Sequence, residues 1–248
     1  MEITDWNGYR QLHFDVGGRR STVICPDEPL PGNPWVWRTE FFEAFNYADF
    51  ALLKKGWHLA YHCVSDMYGC PESIEMMKEF YDYVTSGFRL HERPAIFGFS
   101  RGGLYAVNFA LKYPDCCGLL YLDAPVLDIR SWPGGLGAGR GEPGCWEECK
   151  RVYHLNENTA FRFSDNPLDH VRELAGTGIP VLLVCGLLDS YVPYAENGRP
   201  FCEEMMSYSA RIEQIVKPDC DHHPHSLSDP APVVDFIEKY AAARGVRE

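Results

Sequence analysis

Three kinds of side chain in this 248-residue sequence could together form an acyl-transfer centre: a hydroxyl, an imidazole and a carboxylate. The hydroxyl is Ser100, set in Gly98-Phe99-Ser100-Arg101-Gly102-Gly103. An alcohol is a weak nucleophile until an adjacent base takes its proton. The base would come from "CDHHPHSL", which holds His222, His223 and His225. His222 is the expected base, His223 the alternative and His225 the third choice. The carboxylate is Asp189 in "VCGLLDSYVP", whose task would be to fix the imidazole tautomer and stabilise the imidazolium. The bland readings are a Ser100 that only caps a helix and an Asp189 that only serves a turn.

The elements around these residues give the serine its meaning. "RPAIFGF" reads as a buried strand and "RGGLYAVNFALKYP" as a helix, with no polar loop between them. A serine on such a turn has its hydroxyl pushed toward the rim where the parallel strands end. Side chains at Gly98 and Gly102 would strike the neighbouring strand and helix, and Gly103 adds clearance. The N–H of Arg101 opens the helix, well placed for an oxyanion. "WHLAYHCV", "CGLLYLDAP", "IPVLLVCGL" and "RIEQIVKP" read as further strands, and "GYRQLHFDV" and "STVICP" as an earlier pair joined through Gly17-Gly18. "DEPLPGNPWVW" reads as an irregular loop, and "TEFFEAFNYADFALLKKG" as a helix. Alternating strands and helices predict an α/β domain with a mainly parallel sheet covered on both faces. The whole chain, 1–248, is expected to be one domain. Residues 126–178, which include the glycine-rich "SWPGGLGAGRGEPG", break the alternation and are expected to form a cap after the sixth strand.

Charge and composition narrow the partners. A net charge of −12 argues against nucleic acid and against an anionic membrane surface. No apolar run is long enough to span a bilayer, and "MEITDWNGYR" lacks the features of a secretory leader. The ten cysteines lie largely in apolar strand-like runs, so free thiols and a cytoplasmic setting are expected. Cys145-x3-Cys149 followed by His154 is half a zinc pattern with no second pair. Asp221, His222, His223 and His225 are competent ligands, but in a proline-containing loop they are not expected to converge. No metal is therefore expected, and no nucleotide cofactor either, since neither phosphate-binding glycine string occurs.

Four strings carry a family resemblance: "PWVWR" at 34–38, "GFSRGG" at 98–103, "DAPV…SWPGG" at 123–135 and "HHPHSL" at 222–227. The chain resembles an α/β-hydrolase over nearly its full length, in the prolyl-oligopeptidase-like branch, and within it bacterial carbohydrate-esterase-like serine hydrolases. In such relatives the first histidine of the last string usually follows a glycine, whereas Asp221 precedes it here. The resemblance implies a second oxyanion donor in the loop 30–37, namely the N–H of Trp35 or of Asn33, because Pro34 has none. It implies an ester of an acylated or methyl-esterified carbohydrate as substrate. Trp132 and Tyr68 would offer flat faces to a sugar, and Arg38 would meet a carboxylate. A serine peptidase acting on small peptides and a non-catalytic binding module are the alternatives.

Overall fold

The computed structural model describes residues 1–243 of the chain. Nine strands form one sheet: β1 (Glu2–Trp6), β2 (Tyr9–Val16), β3 (Arg19–Cys25), β4 (Trp35–Arg38), β5 (His58–His62), β6 (Ala95–Phe99), β7 (Leu119–Asp123), β8 (Val181–Gly186) and β9 (Ile212–Lys217). Their spatial order is β1-β2-β3-β5-β4-β6-β7-β8-β9. The first three strands pair antiparallel and β3 meets β5 antiparallel, while every pair from β5 to β9 is parallel. Two-residue turns set the antiparallel register. Asn7-Gly8 and Gly17-Gly18 all have positive φ, as a type I′ hairpin demands at both central positions.

The helices are α1 (Tyr47–Lys54), α2 (Pro71–Gly87), α3 (Gly102–Lys112), α4 (Pro143–Val152), α5 (Glu157–Phe161), α6 (Val171–Thr177), α7 (Gly198–Ser207) and α8 (Ala231–Ala243). Because successive side chains of a strand face opposite ways, β4 sends Trp35 and Trp37 into one core and Val36 into the other. The first core is closed by α2, α3, α6 and α7, with Ile74, Phe80, Phe109, Leu174 and Phe201. The second is closed by α1 and α8, with Leu52, Val233 and Ile237. This is the α/β architecture expected, with two strands added. Glu2–Trp6 is one. The other is Trp35–Arg38, read from sequence as part of a loop, which here pairs between β5 and β6. The predicted helix over 39–56 is correspondingly shorter and starts only at Tyr47.

The insertion follows β7, the seventh strand of the chain, where the sixth was expected. It builds a third apolar cluster in which Trp146, Cys149 and Ile129 pack with Tyr68 and Leu104 of the main body. Its glycine-rich part is pinned beside β8. The Arg140 N–H donates to Ser190 O at 2.9 Å, and Glu196 accepts from the Ser131 hydroxyl at 2.6 Å and from the Ala138 N–H. All ten cysteines are free thiols. Cys149 is buried and His154 exposed beside Glu72, so the half zinc pattern does not assemble. Among the described residues no helix is long and apolar enough to cross a membrane.

Candidate active site

The turn between β6 and α3 is tight and strained. Ser100 has φ +48, a left-handed conformation that typically costs a non-glycine residue on the order of 1–3 kcal/mol. Hydrogen bonds hold it there. The Ser100 N–H donates to Asp123 O at 3.0 Å, and Ser100 O accepts from Gly103 N at 3.0 Å and Val126 N at 2.8 Å. The glycines are demanded by contact. A Cβ on Gly98 would lie 2.9 Å from Ala106 Cβ of α3 and from Leu122 Cδ2 of β7. One on Gly102 would meet Thr39 Oγ1 at 2.8 Å, and one on Gly103 would meet Pro125 Cβ at 2.6 Å.

Two loops from the same rim reach this hydroxyl. Ser100 Oγ lies 2.9 Å from His222 Nε2, and His222 Nδ1 lies 2.7 Å from Asp189 Oδ2. All three are nearly buried, with 6–7% exposure. The other Asp189 oxygen accepts from the N–H groups of Val192 at 2.7 Å and Tyr191 at 3.0 Å. That leaves Oδ2 aimed at the imidazole. A carboxylate facing Nδ1 requires the proton on that nitrogen, so Nε2 presents its lone pair to the serine. Asp221 ties the two loops together. It accepts from Ser190 N at 2.9 Å and from the N–H of His222 at 2.8 Å.

A second histidine–aspartate pair stands alongside. His225 Nδ1 is 2.8 Å from Asp123 Oδ1, and Asp123 Oδ2 accepts from Ser226 N at 2.9 Å. Both side chains are buried, and burial holds the His225 imidazole below its usual 6.5 although Asp123 pulls the other way. Sequence reasoning did not find Asp123, although "YLDAP" ends a strand adjacent to β6 and thus on the same rim. The expected divergence of the loop is also overturned. His222, His223 and His225 offer ligand atoms all within 4.8 Å of one another. Lys217 draws the loop back by donating to Pro224 O at 2.7 Å, and Asp123 anchors its far end. His223 alone of the three is exposed, and no contact with Ser100 is among its interactions.

The flanking assignments need correction. Trp35 begins β4, level with the residue before Ala95, and so lies six residues, about 20 Å of strand, below Ser100. Its indole donates to His91 O at 2.7 Å. Asn33 lies further back still, so neither supplies an oxyanion donor. The carboxyl end of β4 does reach the rim. Thr39 N still bonds Phe97 O at 3.1 Å, and Glu40 and Phe41 are the first residues beyond that ladder. Arg38 is fully buried rather than open to substrate. Its guanidinium donates to the carbonyls of Phe41 and Ala44 at 2.7 Å each, pairs with buried Asp49 at 3.4 Å and lies 4.0 Å over the Phe99 ring. Tyr68 is also fully buried, with its hydroxyl on Glu148 at 2.8 Å and its ring beneath Trp132 at 6.3 Å. It therefore has no face free for a sugar, whereas Trp132 is partly exposed. Arg101 is clamped by Glu40 at 3.0 Å, between the rings of Phe41 and Tyr68. Burial pushes the Glu40 carboxyl up, against the pull of that guanidinium. A 390 Å³ groove at Gly69, Ile74, Asn108, Tyr153 and His170 contains none of Ser100, Asp189 and His222.

A family model described as "Putative esterase" matches residues 65–229, about two thirds of the chain and a span holding Ser100, Asp189 and His222. The chain belongs to this esterase family. No curated protein matches it. Among solved structures it is similar to an acylaminoacyl peptidase of Pyrococcus horikoshii, with 18% identity and a TM-score of 0.71 over 95% of this chain and 43% of that one. It is similar to a puromycin-hydrolyzing peptidase of Mycobacterium tuberculosis, with 16% identity and a TM-score of 0.68 over 96% and 39%. An esterase of Pyrococcus furiosus matches at 14% identity and a TM-score of 0.64 over 96% and 97%. The chain thus spans less than half the length of the two peptidases and nearly the whole of that esterase. The fold is that of an α/β-hydrolase, as the four sequence strings implied.

Proposed function

We propose that this esterase-family hydrolase cleaves carboxylic esters through an acyl-enzyme formed on Ser100. The observation that carries the reading is the unbroken relay from Ser100 Oγ through His222 to Asp189, at 2.9 and 2.7 Å. Ser100 Oγ attacks the ester carbonyl carbon as His222 Nε2 takes its proton. The oxyanion accepts hydrogen bonds from the N–H of Arg101 and from the N–H of Phe41, in the loop beyond β4. Collapse breaks the bond to the leaving alcohol, which takes the proton from His222. Water then repeats the sequence in reverse, losing its proton to His222 and freeing the acid and Ser100. Each backbone donor contributes on the order of 100-fold or more to the rate.

Residues 126–178 serve as the cap over this rim. Trp132 and Arg140 are its residues best placed to meet substrate. The Arg140 guanidinium lies 5.7 Å from the Tyr191 ring, which in turn lies 5.9 Å from the His222 ring. It takes the role that Arg38 cannot, that of a cation for an acid-bearing ester, and an acylated or methyl-esterified carbohydrate fits this lining. Ser100→Ala should abolish p-nitrophenyl acetate hydrolysis while leaving the folded state intact. A panel of acetylated, feruloylated and methyl-esterified sugars beside short peptides then ranks the substrates. Arg140→Met should raise KM severalfold for uronic-acid esters with little change for neutral ones. Wild-type turnover by Ser100→Ala would refute the proposal. Preference for peptides across the panel would replace the carbohydrate reading with the peptidase one.

A further inference from the structure

The three imidazoles of the 222–225 loop are arranged more closely than the proposed hydrolysis requires. Their ring centroids form a nearly equilateral triangle, 4.9 Å from His222 to His223, 4.7 Å from His222 to His225 and 4.8 Å from His223 to His225. Three imidazoles on one tetrahedral ion, with Zn–N near 2.0–2.1 Å, would have nitrogens about 3.3 Å apart and centroids about 5 Å apart. The ligand atoms now lie within 4.8 Å of one another, so ring rotations of about 1 Å at each nitrogen bring them to one centre.

Two of the rings are also prepared as ligands. His222 Nδ1 faces Asp189 at 2.7 Å and His225 Nδ1 faces Asp123 at 2.8 Å. A carboxylate behind Nδ1 fixes the proton there, orients the ring and raises the basicity of Nε2, which is the usual support for zinc-binding histidines. His223, the exposed one of the three, completes the set of three imidazoles. Hydrolysis as proposed uses only one of these carboxylate-backed imidazoles.

We propose that this loop is a binding site for a borderline divalent metal ion, with zinc the fitting probe. The ion coordinates His222 Nε2, His223 and His225 Nε2 and retains water at its fourth position. Coordination takes the lone pair that would otherwise accept the Ser100 proton, so the bound ion is a reversible inhibitor. The binding rests on the imidazole geometry alone, whereas the inhibition rests on the proposed role of His222.

Zinc chloride titrated calorimetrically into wild-type protein, Ser100→Ala and His223→Ala separates these two parts. Wild-type and Ser100→Ala should each bind one zinc ion with micromolar or tighter affinity, and His223→Ala should bind at least tenfold more weakly. Magnesium, which prefers oxygen ligands, should not bind. Zinc should slow ester hydrolysis by the wild type at least tenfold, and a chelator should restore it. His223→Ala should keep the chelator-treated wild-type rate yet resist zinc. Absence of zinc binding at 100 µM, or equal binding by wild type and His223→Ala, overturns the site. Binding that leaves hydrolysis unchanged overturns the inhibitory role and, with it, the assignment of His222 as base.

Discussion

Two buried histidine–aspartate pairs flank the same serine, and exchanging each aspartate for asparagine distinguishes their roles. At Asp189 the outcome follows from what each oxygen touches. Oδ1 accepts from two backbone N–H groups, Val192 at 2.7 Å and Tyr191 at 3.0 Å. In Asp189→Asn those donors hold the amide oxygen in place, which turns the NH₂ toward His222 Nδ1. That nitrogen must then become the acceptor, the proton moves to Nε2, and the imidazole can no longer take the Ser100 proton. Losing the correct tautomer in such a triad costs ~10⁴ in kcat, equivalent to about 5 kcal/mol of barrier, with the turn geometry kept. Asp123→Asn makes the same change behind His225, which transfers no proton in the proposed reaction, so kcat/KM should fall less than about tenfold. Steady-state hydrolysis of a p-nitrophenyl ester at pH 7, with thermal unfolding of each variant as control, reads both. A large loss in Asp123→Asn beside a small one in Asp189→Asn would refute the reasoning and move the chemistry to His225.

Other outcomes follow from burial and contact. Arg38→Ala strands the carboxyl of Asp49 and should cost about 3–5 kcal/mol of stability in chemical denaturation, without a selective rise in KM for acidic esters. Such a rise in a stable variant would restore Arg38 to the binding site. Gly103→Ala places a methyl 2.6 Å from Pro125 Cβ and 2.7 Å from Val126 O. It should lower stability by about 1–3 kcal/mol and kcat by at least about tenfold, because Val126 N also holds Ser100 O; wild-type kcat would contradict this. His62, stacked at 5.0 Å on Phe80 and 2.9 Å from Ser21 Oγ, is lowered by burial to about 4. The unfolded chain therefore binds more protons between pH 6.5 and 4, and stability falls as pH drops through that window, by at most about 3 kcal/mol from this group. His62→Gln should flatten the slope of unfolding free energy over that range, and an unchanged slope would show that His62 is not held neutral.

What could be read before the structure was the local, periodic part of the molecule. Gly98, Ser100 and Gly102 declare a sharp strand-to-helix turn because only small residues clear Ala106, Leu122 and Thr39. The strands β6, β7 and β8 are apolar runs buried throughout and announce themselves. The N-terminal strand was legible too, since Asn7-Gly8 is a two-residue hairpin signal between Trp6 and Tyr9. The strand β4 was not. Four residues behind a proline-rich stretch carry no period, and only tertiary pairing between β5 and β6 makes them a strand. Without that pairing, nothing in the sequence tells that the end of β4 at Thr39, and not the end at Trp35, lies toward the rim. Arg38 misled for a related reason. A lone arginine in sequence does not reveal that carbonyls of Phe41 and Ala44 lie folded around it. Convergence of the three histidines depends on Lys217, which folds the loop back on itself, and on Asp123, about a hundred residues away in sequence.

The central claim is that Ser100 is a nucleophile activated by His222. Incubation with a fluorophosphonate followed by peptide mass mapping measures it directly. The expected result is one covalent adduct on the peptide containing Ser100, absent in Ser100→Ala and slowed at least about 100-fold in His222→Ala. No adduct on the folded wild-type protein, an adduct on another residue, or labelling of Ser100 that ignores loss of His222 would contradict the account.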